Sequence, residues 1–588
     1  MRSGSILIRS STDHLSSSDA WESFVKAHAD EEQPAVPADE STPLSRAKGI
    51  SVVSVREVAT VAVFGMWLVY ALVTRHAHIW NGPDRSTRYC FVAMAVIFSY
   101  SVSKLLIQYF PTLARLGGAL LVIVSDALGR FAIPLPAIAG VLFLIAVAMK
   151  FVRVRGHGDQ TVLSAAQPLL GLVLFPAAIY ATSAKRSAIA WRTVLGGFSL
   201  MVLFALFVTN FPAGKEVVRV IGDLVSSFMG FSVEGSNMIF GKELVASNAF
   251  AFQVLPTVIF FSAVVSVAFY AGFLQICILG VSSLLRFLLG ASTVEAVACS
   301  GNIILGLCEV PLLLRPLIPH ASRSELHVVC VCGYASVAGS VLAAFIEMGI
   351  NPDSLLVSCF MSAPAAIALS KLSYPESEKA EDAKEATEEE LQEALKSPDG
   401  SLVEAAGNGA ANAVSMCANM AAMLIAFVSL IAALDSLTRW FMEYAGRPDI
   451  NFSALCSYAL APAAFVLGVP WDESRAVGLL LAKKLVLNEF VAYADLSTLI
   501  KNRGLSFANA VPIQGLSPAM LTISPRAETI ATFALCGFAN LSSVGITLGS
   551  FCAISPERRS DVAPLVLRSM IVGFTVSLVN ACVIALLQ

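Results

Sequence analysis

Phe533-Ala-Leu-Cys-Gly-Phe-Ala-Asn-Leu-Ser-Ser-Val-Gly-Ile-Thr-Leu-Gly549 decides how the chain is read. The stretch is apolar enough to enter a bilayer, yet its centre carries Asn540, Ser542 and Ser543 between Gly537 and Gly545. In hydrocarbon a polar side chain needs a partner, and irregular backbone is tolerated only where it lines a cavity or is buried in protein. Glycine and small polar residues in mid-span therefore predict a helix broken around a solute. Small-residue runs also let two helices approach closely, so this stretch by itself leaves both readings open.

A second copy separates them. Cys332-Gly-Tyr-Ala-Ser-Val-Ala-Gly-Ser-Val341 parallels Cys536-Gly-Phe-Ala-Asn-Leu-Ser-Ser-Val-Gly545, and Ser322-Arg-Ser-Glu325 parallels Ser524-Pro-Arg-Ala-Glu528 upstream. Further upstream a lone glutamate interrupts each apolar run: Glu309 in Leu-Gly-Leu-Cys-Glu-Val-Pro, and Glu489 in Val-Leu-Asn-Glu-Phe-Val-Ala-Tyr. Each half thus reads as a hairpin with a buried carboxylate, followed by a glycine-broken helix. Paired interrupted segments in two halves point to the central site of a transporter, and an intramembrane carboxylate marks a functional site.

Composition agrees with a polytopic membrane protein. The 588 residues are 56% hydrophobic and 14% charged, with mean hydropathy +0.74, whereas soluble domains carry about 25% charged residues. A net charge of −3 gives no footprint for nucleic acid. The twelve cysteines lie in apolar segments with neither zinc spacing nor a secreted disulfide framework, and read as small packing residues. His327, on an apolar helix, reads as a packing residue as well.

Residues 1–48 are Ser-rich and polar, a disordered cytosolic terminus by composition, with no signal peptide before the first apolar run. Residues 49–213 hold N-terminal spans at about 58–74, 89–109, 113–129, 131–152, 162–183 and 189–210, where about 20 apolar residues are needed to cross. Residues 214–294 hold an amphipathic interfacial helix at 215–229, a span at 250–279 and a second amphipathic piece at 282–290. Residues 295–372 form the first half of a transport domain, 373–405 an acidic cytosolic loop, 406–448 a scaffold helix, 449–550 the second half, and 551–588 a last span. With Arg558 and Arg559 inside, the two broken helices run in opposite directions, as an inverted repeat requires. The same walk puts Asn451-Phe-Ser453 outside, as a candidate glycan acceptor.

Phe538 within Ala534–Ile546, Leu487-Asn-Glu-Phe-Val-Ala-Tyr493, Val469-Pro-Trp471, Ser362-Ala-Pro-Ala-Ala366 and Ala338-Gly-Ser-Val-Leu342 resemble the concentrative nucleoside transporters over residues 214–588. The resemblance implies an all-α inverted-repeat fold with a static scaffold and an elevator-type transport domain. It also implies a homotrimer in the plasma membrane, importing nucleosides with a cation. Glu489 would accept bonds from the ribose hydroxyls, with Asn540 and Ser543 beside it, and Phe538 would contact the nucleoside. Leu307, Cys308 and Glu309 would face the nucleobase, with Val341 packing on it. Sodium would sit near Asn302 and Ser336 and the carbonyls of Leu305 and Val337. No resident cofactor and no enzymatic activity are implied.

The chemistry also stands on the residues alone. One carboxylate can accept both hydroxyls of a vicinal diol, in charge-assisted bonds about twice as strong as neutral ones. Sodium takes hard oxygen ligands of the kind an amide, a hydroxyl and freed carbonyls supply. A proton on Glu309 or Glu489 is the competing coupling ion. A channel would need a continuous polar pore rather than paired local polar positions, and a membrane enzyme lacks a catalytic motif here. The family pattern Gly-Gln-Thr/Ser-Glu at the first hairpin tip is Gly306-Leu307-Cys308-Glu309 in this chain. That predicts altered base selectivity, because leucine neither donates nor accepts.

Overall fold

The computed structural model describes residues 162–588, apart from 247–249, 378–389, 392–393, 448–449 and 506–508. The expected tail 1–48, the four spans before 153 and the heart of the acidic loop lie outside the described residues. All regular elements among the described residues are helical. Among the described residues, five helices are long and apolar enough to cross a membrane, or up to seven if each sharply bent pair counts as one span.

α1 (Val162–Ala181) and α2 (Trp191–Asn210) precede α3 (Pro212–Met229). α3 is the amphipathic helix anticipated at 215–229: Gly214, Val218, Gly222 and Met229 are buried, and Glu216, Arg219 and Asp223 form an exposed ion-pair row. Two short helices follow, α4 (Ser232–Phe240) and α5 (Lys242–Ala246).

The span anticipated at 250–279 is divided. α6 ends at Tyr270 (Phe250–Tyr270), Gly272 takes φ +83°, and α7 (Phe273–Leu289) leaves at 75°. The positive φ suits glycine, and the turn converts α7 into a helix burying one face, Leu274, Ile278, Ser282, Leu285 and Leu289.

The first hairpin is α8 (Thr293–Gly301), an irregular tip at 302–308, and the short α9 (Glu309–Leu313). Its partner is the broken helix α10 (Arg323–Ala335) and α11 (Gly339–Glu347), then α12 (Pro352–Ser373). The serines preceding these helices are caps: Ser292 with Glu295 and Ser322 with Glu325 each complete a reciprocal capping box. After the acidic segment comes the 43-residue α13 (Leu402–Tyr444), mostly exposed. Its buried stripe, Ala405, Gly409, Ala413 and Cys417, is small at every fourth position. A Cβ on Gly409 would lie 2.4 Å from Ser266 Oγ, so α6 and α13 meet with almost no side chain between them.

α14 (Phe452–Val466) turns through 115° into the second hairpin, α15 (Trp471–Val486) and α16 (Glu489–Asn502). The second broken helix is α17 (Pro525–Leu535) and α18 (Leu541–Ile554), followed by α19 (Arg559–Leu587). Asn451 is the candidate glycan acceptor. It is buried, and its Oδ1 caps α14 at the Ala454 N–H (2.8 Å), while Ser453 is held by Asp435 (2.7 and 2.9 Å).

α19 packs on α1, α10, α12, α17 and α18, and α12 packs on α2 and α10, so the two broken helices share one core. They touch where both are interrupted. Gly537 has φ +119°, and a Cβ there would stand 2.5 Å from the Tyr334 carbonyl. Strained backbone and overpacking each cost about 1–3 kcal/mol. Gly537→Ala is therefore expected to lower the melting temperature of the detergent-purified protein markedly. Gly545→Ala, with nothing within 4 Å of its Cβ, is expected to leave it unchanged; equal melting of the two variants would contradict this packing.

Candidate functional site

Asn540 ends the second break. Its Oδ1 caps α18 at the Ser543 N–H (2.8 Å) and accepts from Ser542 Oγ (2.6 Å), and its Nδ2 donates to Glu489 Oε2 (2.8 Å). Glu489 is the first residue of α16, placed by Asn488, whose Oδ1 caps that helix at Val491 N–H (3.0 Å). The amide and carboxylate noted in the sequence thus meet, both buried, at the convergence of two helix N-termini, which favour negative charge. Ser543 is buried in the first turn of α18, and Phe538 is half-buried at the break.

The other half-unit closes on this centre. Tyr334 reaches across to the Ser543 carbonyl (3.4 Å). Val341, buried in the first turn of α11, lies on the helix whose Phe345 packs on Phe490 and Tyr493 of α16, with ring centroids 5.1 and 4.2 Å apart. At the first hairpin tip Cys308 and Glu309 are exposed, and Glu309 accepts the Gly306 N–H. Leu307 is buried and turned away from them: its Cδ1 would be 2.4 Å from a Cβ on Gly333.

The tip of hairpin 1 lies on the first break. Gly339 N–H donates to the Ile304 carbonyl (2.8 Å), and a Cβ on Gly306 would sit 3.0 Å from Ala338 Cβ. That docking lays residues 304–306 on 338–339, close in sequence to Asn302 on one side and to Ser336 and Val337 on the other. Asn302 Nδ2 donates to the Ala298 carbonyl (2.9 Å), but its buried Oδ1 has no partner among the described residues. The Leu305 and Val337 carbonyls likewise carry no hydrogen bond there. An uncompensated buried oxygen costs about 1–3 kcal/mol, and a hard cation would remove that cost.

Some features gave no sequence signal or a misread one. Cys299 and Cys332 face each other with Cα atoms 5.5 Å apart, a proximity that their 33-residue separation does not signal. Buried Cys330, Cys359, Cys417, Cys536 and Cys582 remain free thiols. His327 packs as anticipated, 2.6 Å from Ser370 Oγ and stacked on Tyr374. Lys484 is fully buried, and a lysine inside an apolar helix is itself a functional pointer.

Two hairpins and two broken helices with paired carboxylate and amide groups at their meeting point define an inverted-repeat membrane transporter. Residues 354–585 match the family described as Na+ dependent nucleoside transporter C-terminus, and residues 170–243 match its N-terminal counterpart. Residues 251–351 match Gate, described as nucleoside recognition. The chain is 40% identical over 420 residues to Sodium/nucleoside cotransporter 2 of Mus musculus, covering 71% of this chain and 62% of that one. It is also 40% identical over 420 residues to Sodium/nucleoside cotransporter 1 of Homo sapiens, covering 71% and 63%. The chain thus spans less than two thirds of the length of these relatives. The structure of CNTnw in an inward-facing substrate-bound state superposes with a TM-score of 0.65 at 31% identity, over 72% of this chain and 98% of that one. A CNTnw variant in an outward-facing state superposes equally, TM-score 0.65 at 30% identity over 73% and 98%. This chain belongs to the concentrative nucleoside transporter family.

Proposed function

We propose that the chain imports nucleosides together with sodium as a multi-pass carrier. The observation that carries the reading is the buried Glu489–Asn540 pair where the two half-units meet, together with a buried Asn302 oxygen that has no partner among the described residues. Glu489 accepts the ribose 2′,3′-diol, Asn540 and Ser543 complete the polar wall, and Phe538 and Val341 hold the apolar faces. Cys308 and Glu309 meet the nucleobase, with Leu307 behind them. Sodium binds through Asn302, Ser336 and the Leu305 and Val337 carbonyls. One charge moving inward gains about 2.3 kcal/mol per 100 mV, enough for about fiftyfold accumulation.

Alternating access proceeds by elevator-type motion of the hairpins and broken helices against a scaffold of α6 and α13. The occurrence of CNTnw in both facing states supports this. The exposed apolar length of α13, including Ile425, Leu437 and Phe441, suits lipid and the neighbouring protomers of a homotrimer.

The test is labelled uridine and adenosine uptake in cells lacking endogenous carriers, with sodium and pH varied independently and free bases as competitors. Saturable uptake that needs sodium and is blocked by ribosides but not by bases supports the proposal. Uptake that ignores sodium and follows external pH moves coupling to a proton on Glu309 or Glu489.

Base selectivity is expected to depend on Leu307. Leu307→Gln puts an amide into the packing behind Cys308 and Glu309, against Gly333, and where that amide reorients toward the base, relative uptake of uridine, cytidine, adenosine and guanosine should shift several-fold. Unchanged ratios would contradict a role for the leucine in selectivity.

A further inference from the structure

The two half-units treat their helix breaks differently. In the first, Asn302 caps the end of the hairpin's first arm and its Oδ1 has no partner among the described residues, while the Leu305 and Val337 carbonyls are free of hydrogen bonds there. In the second, Lys484 occupies the last turn of the hairpin's first arm, α15, and the carbonyls leading into the break accept hydrogen bonds. Thr532 O accepts from Tyr493 Oη (2.8 Å), and Phe533 O accepts from Cys536 N–H (3.3 Å). Ala534 O and Cys536 O accept from Lys484 Nζ (2.9 and 3.2 Å), which also contacts Ser577 Oγ (3.2 Å).

The proton count fits an ammonium. Ser577 has one hydroxyl proton and gives it to Cys536 O (2.5 Å), so its oxygen must accept from Lys484. Three acceptors around the nitrogen match the three donors of an ammonium. Phe574, one turn away on α19, presents its ring 5.3 Å from Nζ, within reach for a cation–π contact. Two carbonyls, a hydroxyl and an aromatic face surround the fully buried lysine at the C-terminus of α17, where the helix dipole is negative, and the Glu489 carboxylate acts on it through space.

We infer that Lys484 is a tethered cation: its ammonium fills, in the second half-unit, the place by the helix break that a transported cation takes in the first. The inference rests on the proposed sodium site of the first half-unit. The lysine holds the second break closed throughout the cycle and keeps a second ion out, so only the first break exchanges its cation with solution.

The test uses the full chain in proteoliposomes and compares wild type, Lys484→Ser and Lys484→Met. Serine vacates the cage, while methionine keeps the stem and removes the charge. For Lys484→Ser, uptake at limiting sodium should fall at least about tenfold and be restored by high sodium or by methylammonium. Its sodium Hill coefficient should rise by about one over the wild type, and methylammonium should raise its melting temperature but not that of the wild type. Lys484→Met should lose uptake, with no rescue, because the thioether stem blocks the cage. The inference is overturned if Lys484→Met transports like the wild type, which makes the charge dispensable. It is equally overturned if folded Lys484→Ser is impaired with an unchanged Hill coefficient and no rescue by either cation, which leaves a packing role only. A wild type that shows no sodium-dependent uptake sinks the symport reading instead, and the methylammonium melting shift then still decides whether the cage binds a cation.

Discussion

Glu489→Ala is expected to abolish nucleoside accumulation, with a loss of at least about a hundredfold in uptake efficiency while the protein still reaches the membrane. Each hydrogen bond to a charged acceptor is worth about 1.5–3 kcal/mol, and a vicinal diol supplies two, so about 3–6 kcal/mol of recognition disappears. Asn540 Nδ2, now bonded to Glu489 Oε2 at 2.8 Å, would lose its acceptor in the same step. Glu489→Gln retains one neutral acceptor and should fall between alanine and wild type. The check is initial-rate riboside uptake normalised to surface protein, and alanine at wild-type rates would refute the assignment. Nucleosides lacking the 2′- and 3′-hydroxyls should lose less in the variant than in the wild type, since they never made these bonds.

Asn302→Ala carries the second large effect, and on a different variable. It removes the buried Oδ1 left without a partner among the described residues, so sodium loses one oxygen ligand. Loss of about 1.4 kcal/mol corresponds to tenfold, and half-saturating sodium should rise by about that factor or more. Uptake at saturating sodium should fall much less. Uptake measured against sodium at fixed uridine tests this; an unchanged half-saturation point would remove Asn302 from the cation site. Linkage adds a second readout: saturating uridine should lower half-saturating sodium in the wild type, and the shift should shrink in the variant.

The parts of this fold visible in the sequence are those where bilayer physics forbids an accident. Glycine and small polar residues inside apolar runs mark both breaks, and the lone glutamates mark both hairpins, because hydrocarbon penalises each of them unless something compensates. The serines before these helices act as caps, a local chemistry with a local signature. The meeting of Asn540 with Glu489 was inferable from the repeat, since each half had to aim its polar groups somewhere.

What stayed hidden depends on geometry that hydropathy does not carry. The division of 250–279 at Gly272 is invisible because Tyr270-Ala-Gly-Phe-Leu274 is apolar on both sides of a turn. Asn451 fits a glycan motif, yet its side chain is committed to a helix cap. Leu307 follows the hairpin sequence pattern in position, but its side chain fills the space that Gly333 leaves open. Lys484 lies next to Lys483, which pairs with Asp495 at 2.5 Å, so a two-lysine run hides one half-buried, ion-paired lysine and one fully buried lysine.

The central claim is that the two half-units converge on one nucleoside with one sodium ion beside it, and a structure of the protein in lipid nanodiscs with uridine and sodium tests it most directly. The account predicts ribose density within hydrogen-bond distance of Glu489 and Asn540, and a sodium peak coordinated by Asn302 Oδ1 and the Val337 carbonyl. Uridine bound elsewhere while Glu489 and Asn540 keep only each other would contradict it.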